Sequence, residues 1–288
     1  MDYSHRAVTG VEYLQLATHT LQLQRQGDPT GGMWEAADLQ WSWRKDQHDR
    51  PTHQEFVLHG DVPVAAVVMT DWGDRFACDL LLPAQGREEL LNLVWPVAVG
   101  MIEGLNGATV EMDLRQDDHL VTQRATEIGF RPTDVTSMMA WLDAAQRPAA
   151  KSVPAGFSLR SRDMVSDRPH HLVARNGSDI SHWLGQCSLY DPSLDLVVYG
   201  PHEEVACYGL FWADPTTGVG LVEPMRTADA FQHRGLALAV LTSGLERLAA
   251  RGCNRMKVTY MLDNELSRRL YLGSGFVPTT KCRLYRFN

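Results

Sequence analysis

The sequence repeats its own pattern at an offset of 146 residues. Laying Gly129-Phe130 over Gly275-Phe276 brings residues 104–118 onto 250–264 without a gap. Both segments read as a helix end, a turn, a strand and an acidic loop. Each Gly-Phe pair is followed by a Pro-Thr step and a closing strand, at 137–142 in one half and 281–287 in the other. Identity is low, so the case for duplication rests on pattern and order. A duplicated chain folds as two copies of one plan, and 288 residues are enough for two domains that each bury a core. The Ala/Pro-rich stretch at 143–154 lacks apolar periodicity and reads as the join. We expect one domain over 1–145, a linker over 146–154 and a second domain over 155–288.

Charge separates the halves. Residues 1–150 carry 22 acids and 11 bases, a net of −11, and residues 151–288 carry 13 acids and 16 bases, a net of +3. No basic stripe of the kind that tracks nucleic acid is present, so no nucleic-acid partner is expected. The longest apolar run, 93–102, is broken by Pro96 and Gly100. A membrane-spanning helix needs about 20 apolar residues, so no membrane partner is expected. The opening residues lack the apolar core of a secretory signal, and the five cysteines include no Cys-x-x-Cys pair. Both observations point to thiols in a reducing, cytoplasmic setting.

In the second half, short strands are expected at 157–160, 194–199, 205–212 and 219–227, with a helical stretch at 168–176. An amphipathic helix follows, with Leu236, Val240, Leu241, Leu245 and Leu248 on one face and Gly252 at its end. A strand at 256–261, a short helix at 265–272 and a last strand ending at Phe287 complete it. The fold class is α+β, with a mixed, mostly antiparallel sheet flanked by helices in each domain.

Between strand and helix stands Gln232-His233-Arg234-Gly235-Leu236-Ala237-Leu238. A helix start presents unpaired N–H groups and a partial positive charge, which suit phosphate. Gly235 removes the Cβ that would obstruct a close ligand. Such a string also arises by chance, with the glycine merely relieving a packing contact. Two further features favour the phosphate reading: Asn264 opens the next helix, and Leu270-Tyr271-x-x-x-Gly275-Phe276 follows. With them, residues 155–288 resemble the GNAT superfamily of acyl-CoA N-acyltransferases. The family's Gln/Arg-x-x-Gly-x-Gly/Ala motif matches Gln232, Gly235 and Ala237, and its later elements match Asn264 and the Leu-Tyr-x-x-x-Gly-Phe run.

The resemblance implies that backbone amides from His233 through Arg234, Gly235, Leu236 and Ala237 to Leu238 hold the pyrophosphate of acetyl-CoA. Met225 and Thr227 would pair with its pantetheine arm, and Asn264 would contact that arm from the other side. Tyr271 would protonate the departing thiolate. Attack of an amine on a thioester does need a proton donor for sulfur, and a tyrosine of ordinary pKa about 10 remains protonated at neutral pH. Tyr271 could otherwise be an ordinary packed aromatic. Glu223, two and four residues before Met225 and Thr227, is placed by strand alternation on their face as a candidate base. It could equally pair with Arg226 or Arg255.

Other groupings read as structural. His170 and His171 adjoin on the expected helix and would point apart, a poor metal pair, so no metal is expected. Trp34, Trp41 and Trp43, ahead of Arg44-Lys45-Asp46, could line an acceptor cleft but more simply anchor a helix. In the first half, the 146 offset pairs Gly235 with Glu89, Ala237 with Leu91, Asn264 with Asp118 and Tyr271 with Ala125. The phosphate-motif spacing is missing there, and Glu88-Glu89 would repel pyrophosphate. The first domain is therefore expected to be a degenerate copy, an arrangement that resembles two-domain acetyltransferases of the mycothiol synthase type. The expected activity is transfer of an acetyl group from acetyl-CoA to a primary amine of a small molecule, in a ternary complex, by a monomer or homodimer. The alternative is a non-catalytic acyl-CoA-binding or regulatory module.

Overall fold

A computed structural model of the chain describes residues 2–44 and 54–288. Packing divides it into two units. Unit 1 comprises Met1–Thr136 with Lys281–Asn288, and unit 2 comprises Ser137–Thr280.

Unit 1 opens with β1 (Tyr3–Val8), α1 (Gly10–Gly27) and α2 (Ala36–Ser42). The meander β2 (Gln54–His59), β3 (Val62–Asp71) and β4 (Phe76–Leu81) follows, then α3 (Arg87–Gly104), β5 (Val110–Arg115) and α4 (His119–Glu127). Strands β1 to β4 pair antiparallel in order, and β4 meets β5 in parallel through Phe76 and Ala77 only. Leu91, Val94, Ala98 and Ile102, at helical spacing on α3, pack with Val67, Met69 and Met112 of the strands.

Unit 2 contains β7 (Ser158–Ser161), α5 (Val173–Asn176), α6 (Ile180–Gly185), β8 (Asp195–Tyr199), β9 (Val205–Asp214) and β10 (Val219–Thr227). These are followed by α7 (Leu236–Ala250), β11 (Arg255–Met261) and α8 (Glu265–Gly273). Strands β7 to β10 are antiparallel, and β10 and β11 are parallel. Helix α7 packs closely on β9 because Gly244 lacks a side chain: a Cβ there would fall 2.1 Å from the Phe211 ring. The expected stripe Leu236, Val240, Leu241, Leu245 and Leu248 is buried in this contact. Each such side chain contributes about 1.5–3 kcal/mol of transfer free energy.

The two remaining strands explain why these units differ from the covalent halves. β6 (Arg131–Asp143) begins in unit 1 but pairs with β11 from Ser137 to Asp143. β12 (Val277–Phe287) begins in unit 2 but pairs with β5 from Cys282 to Phe287. Each half's closing strand thus completes the sheet built by the other half. The duplication persists in local detail. Asp118 caps α4 by accepting from the Val121 N–H, and Asn264 caps α8 by accepting from Ser267. Phe130 N–H returns to Ala125 O as Phe276 N–H does to Tyr271 O. Both pairs of bonds recur at the 146 offset.

One local expectation is corrected. Residues 168–176 are not a single helix. Only Val173–Asn176 is helical, and His170 and His171 lie in the irregular segment before it.

Candidate active site in the second unit

The site grows from a divergence of strands. The β10–β11 ladder pairs Val219 with Arg255, Gly220 with Met256 and Leu221 with Lys257, and then stops. Strand β10 continues along β9 as far as Thr227, opposite Cys207. The edge of β10 that carried β11 is thereby released over its last residues, and backbone groups there need another partner. A cavity of about 550 Å³ opens at this point. It is lined by Met225 and Thr227 of β10, by Gln232, His233, Gly235, Leu236, Ala237 and Leu238 at the start of α7, and by Asn264, Leu270 and Tyr271.

The start of α7 is shaped by two left-handed residues. Gly235 is its N-cap at φ 77°, and His233 takes φ 59°, an uncommon conformation for a residue with a Cβ. The first-turn N–H groups of Leu236, Ala237 and Leu238 have no intrahelical acceptor and border the cavity. No atom lies within 4 Å of a Cβ built on Gly235, so that position is open space. This end of the cavity can take an anion by helix dipole and N–H donation together. Gln232 donates to Asp229 Oδ1 at 3.1 Å. Arg234 is absent from the lining. Its guanidinium lies 5.5 Å from the Phe231 ring centroid and donates to Ala230 O.

At the inner end, Tyr271 is 6% exposed, with its ring 5.9 Å from Tyr260 and 5.8 Å from Phe276. It is a packed aromatic and lines the cavity as well. Burial, followed by the negative charge of Glu223 and then Cys207, raises its pKa well above the ordinary value. Its hydroxyl therefore keeps its proton.

Glu223 does not stand where strand alternation from Met225 would place it. Between Val222 and Met225 the β10–β9 register shifts, with Glu223 and Pro224 of β10 standing against Leu210 alone of β9. A bulge of this kind breaks side-chain alternation, so the spacing of two from Met225 does not fix a shared face. Glu223 is also outside the cavity lining. Its carbonyl accepts from Trp212 Nε1 at 2.7 Å, and its charge is felt at Tyr271. Arg226, one of its suggested ion-pair partners, lies instead 4.0 Å from Asp229.

The equivalent place in unit 1 is nearly filled. The β4–β5 divergence holds a cavity of only about 50 Å³, bordered by Gly32, Met33 and Trp34 and by the Arg87–Asp118 ion pair. Helix α3 starts on Gly86, left-handed at φ 64° like Gly235. The structural counterpart of Gly235 is therefore Gly86, not Glu89, because α3, at 18 residues, is three residues longer at its start than α7, at 15. Pro83 then stands for Gln232 and Glu88 for Ala237, and Glu88 and Glu89 occupy the first turn. Burial, then Asp113 and Asp38, raises the Asp79 pKa to about 7, while burial and Glu111 raise that of Asp113 to about 6.

The tryptophan group separates. Trp41 and Trp43 are buried, with Arg44 stacked 4.2 Å from the Trp41 ring centroid, and Trp34 borders the small cavity. Lys45 and Asp46 lie outside the described residues. All five cysteines are buried and free. The sequence reading missed one cluster. His170 Nε2 lies 3.1 Å from Asp195 Oδ2, His171 Nε2 lies 2.9 Å from Asp195 Oδ1, and Tyr190 donates to Asp195. His170 Nδ1 accepts from the Leu172 N–H. With Nδ1 accepting, the neutral ring carries its proton on Nε2 and can donate it to Asp195. No short motif links these residues, so only the fold could reveal them.

Comparisons with known proteins agree with this geometry. Residues 155–276 match the family described as "Acetyltransferase (GNAT) family". No curated protein matches the chain by sequence. A tandem GNAT protein from the clavulanic acid biosynthesis pathway superimposes with a TM-score of 0.70 at 15% identity, over 99% of this chain and 98% of that one. A GCN5-related N-acetyltransferase from Sphaerobacter thermophilus gives 0.63 at 17%, over 99% and 95%. A putative acetyltransferase from Pyrococcus horikoshii gives 0.59 at 11%, over 99% and 89%. At these identities the likeness is one of fold.

Proposed function

We propose that this chain, whose residues 155–276 match the GNAT acetyltransferase family and whose fold is that of a tandem GNAT protein, is a tandem GNAT acetyltransferase that transfers an acetyl group from acetyl-CoA to a primary amine of a small molecule. Acyl transfer is the activity that family and fold support in general. The donor, the acceptor class and the residues are our reading. One observation carries it: a single cavity in unit 2 runs from the anion-accepting start of α7, past the released edge of β10, to Tyr271.

The residues fit an acyl-CoA. Amides of the first turn of α7 would hold the pyrophosphate, with Gln232, His233 and Gly235 shaping the loop and Arg234 contributing long-range positive charge only. Met225 and Thr227 offer backbone pairing to an extended amide-bearing arm. The thioester supplies the activated acyl group, and the chain supplies everything around it. Tyr271 holds its proton at Oη for the departing sulfur. Asn264 orients α8, which carries Tyr271, through its cap. Glu223, close enough for its charge to act on Tyr271, takes the amine proton directly or through water. A small-molecule amine also suits the net charge of −11 on residues 1–150, which favours cationic acceptors.

Release of CoA thiol, followed over a panel of amines, tests the assignment. Turnover with at least one primary amine is expected. Acetyl-CoA binding without release for any amine would favour the non-catalytic module.

A further inference from the structure

We infer that Arg269 is the residue by which the cavity distinguishes CoA from nucleotide-thiol analogues lacking the 3′-phosphate, an inference that rests on the acyl-CoA reading above. The geometry lies at the mouth of the cavity. Leu238 in the first turn of α7 and Leu266 in α8 both border it and are both solvent-exposed, at 36% and 52%. Exposed leucines on two helices that border one cavity suit a flat apolar face such as adenine. Arg269 is three residues beyond Leu266 on α8, so it shares the helix face, and it too borders the cavity.

The guanidinium is oriented but not satisfied. Arg269 Nε donates to Glu265 Oε1 at 2.8 Å, one turn earlier. Among the described residues, its two terminal nitrogens have no partner. A carboxylate that grips Nε and leaves the Nη edge clear presents that edge for two-point binding of a phosphate. Pyrophosphate has its own seat at the start of α7. Arg226, the other arginine on the lining, lies 4.0 Å from Asp229; Arg269, three residues from Leu266 on α8, is therefore placed for the third phosphate, on the ribose of the adenosine end. Arg268 provides the contrast: it also pairs with Glu265 but does not border the cavity.

Titration of the full chain with CoA and with dephospho-CoA tests the assignment. The wild-type protein should prefer CoA by about tenfold, allowing for solvent screening of an exposed guanidinium. Arg269→Gln should weaken CoA by that factor and leave dephospho-CoA unchanged, which erases the preference. Arg268→Gln removes the same charge from the same helix and should retain it. Equal weakening of both ligands by Arg269→Gln would mean a structural role and overturn the assignment. An unchanged preference in Arg269→Gln, or its loss in Arg268→Gln, would overturn it as well. If the wild-type protein binds neither ligand, the acyl-CoA reading itself fails, a result distinct from the others.

Discussion

Tyr271 is a packed aromatic to which we assign the proton for the departing thiolate. It is buried among Tyr260 and Phe276, so Tyr271→Phe keeps the ring and removes only the hydroxyl that carries the proton. We expect kcat to fall by roughly 10–10³-fold, within and just below the range for general acid catalysis, with donor affinity and thermal stability unchanged. Burial and Glu223 both favour the protonated hydroxyl, so kcat should show no loss from Tyr271 ionisation up to the ordinary tyrosine pKa of about 10. An alkaline fall well below that pH, absent in Tyr271→Phe, would contradict the assignment. Asp79 in unit 1 gives a test of opposite sign. Its folded pKa, about 7, is raised above the unfolded value of about 3.9. It therefore stabilises the fold fully below pH about 4, and that contribution is lost as pH climbs through about 7. Asp79→Asn should raise the melting temperature at pH 8 and change it less at pH 5. The reverse order would show that burial of Asp79 is not costly. Sequence alone could not identify this site, because strand alternation says nothing about which acids the β4–β5 divergence encloses.

At the scale of elements, the start of α7 is the feature the sequence showed most fully, since Gly235 and the amphipathic stripe behind it are local signals. The Glu223 bulge was hidden, because a register shift depends on the partner strand β9 and leaves no mark in the spacing of β10. Residues 168–176 depart from the helix that their spacing predicts for a similar reason. The segment is shaped by Asp195 and Tyr190, far along the chain, which hold both histidines. The open space beside Gly235 also changes why a substitution there should matter. Gly235→Asp meets no protein atom. It places a carboxylate where phosphate would sit and asks a non-glycine residue to adopt φ 77°. Acetyl-CoA affinity should drop at least 100-fold, measured by titration on protein with native circular dichroism. Gly86→Asp, the same change at the start of α3, should leave donor affinity unaltered.

For the whole molecule, the repeat at offset 146 revealed two copies and their order, and the missing motif in the first copy agrees with the 50 Å³ remnant found there. What the repeat could not reveal was the exchange of β6 and β12, because both closing strands match the plan equally well wherever they pair. The exchange predicts that residues 1–145 alone lack the strand that pairs with β5, and residues 155–288 alone lack the one that pairs with β11. Each half expressed singly should be poorly folded, and mixing the two should recover native secondary structure, as read by circular dichroism. One acetyl-CoA per chain is expected by calorimetry, since among the described residues the strand divergence of unit 2 opens a cavity of about 550 Å³ and that of unit 1 one of about 50 Å³. The central claim is that this cavity both seats the donor and catalyses transfer. Its most direct test is amine-dependent thiol release from acetyl-CoA by the wild-type chain and by folded Gly235→Asp. The account predicts release matched mole for mole by acetylated amine in the wild type and none above background in the variant. Undiminished release by Gly235→Asp would contradict it.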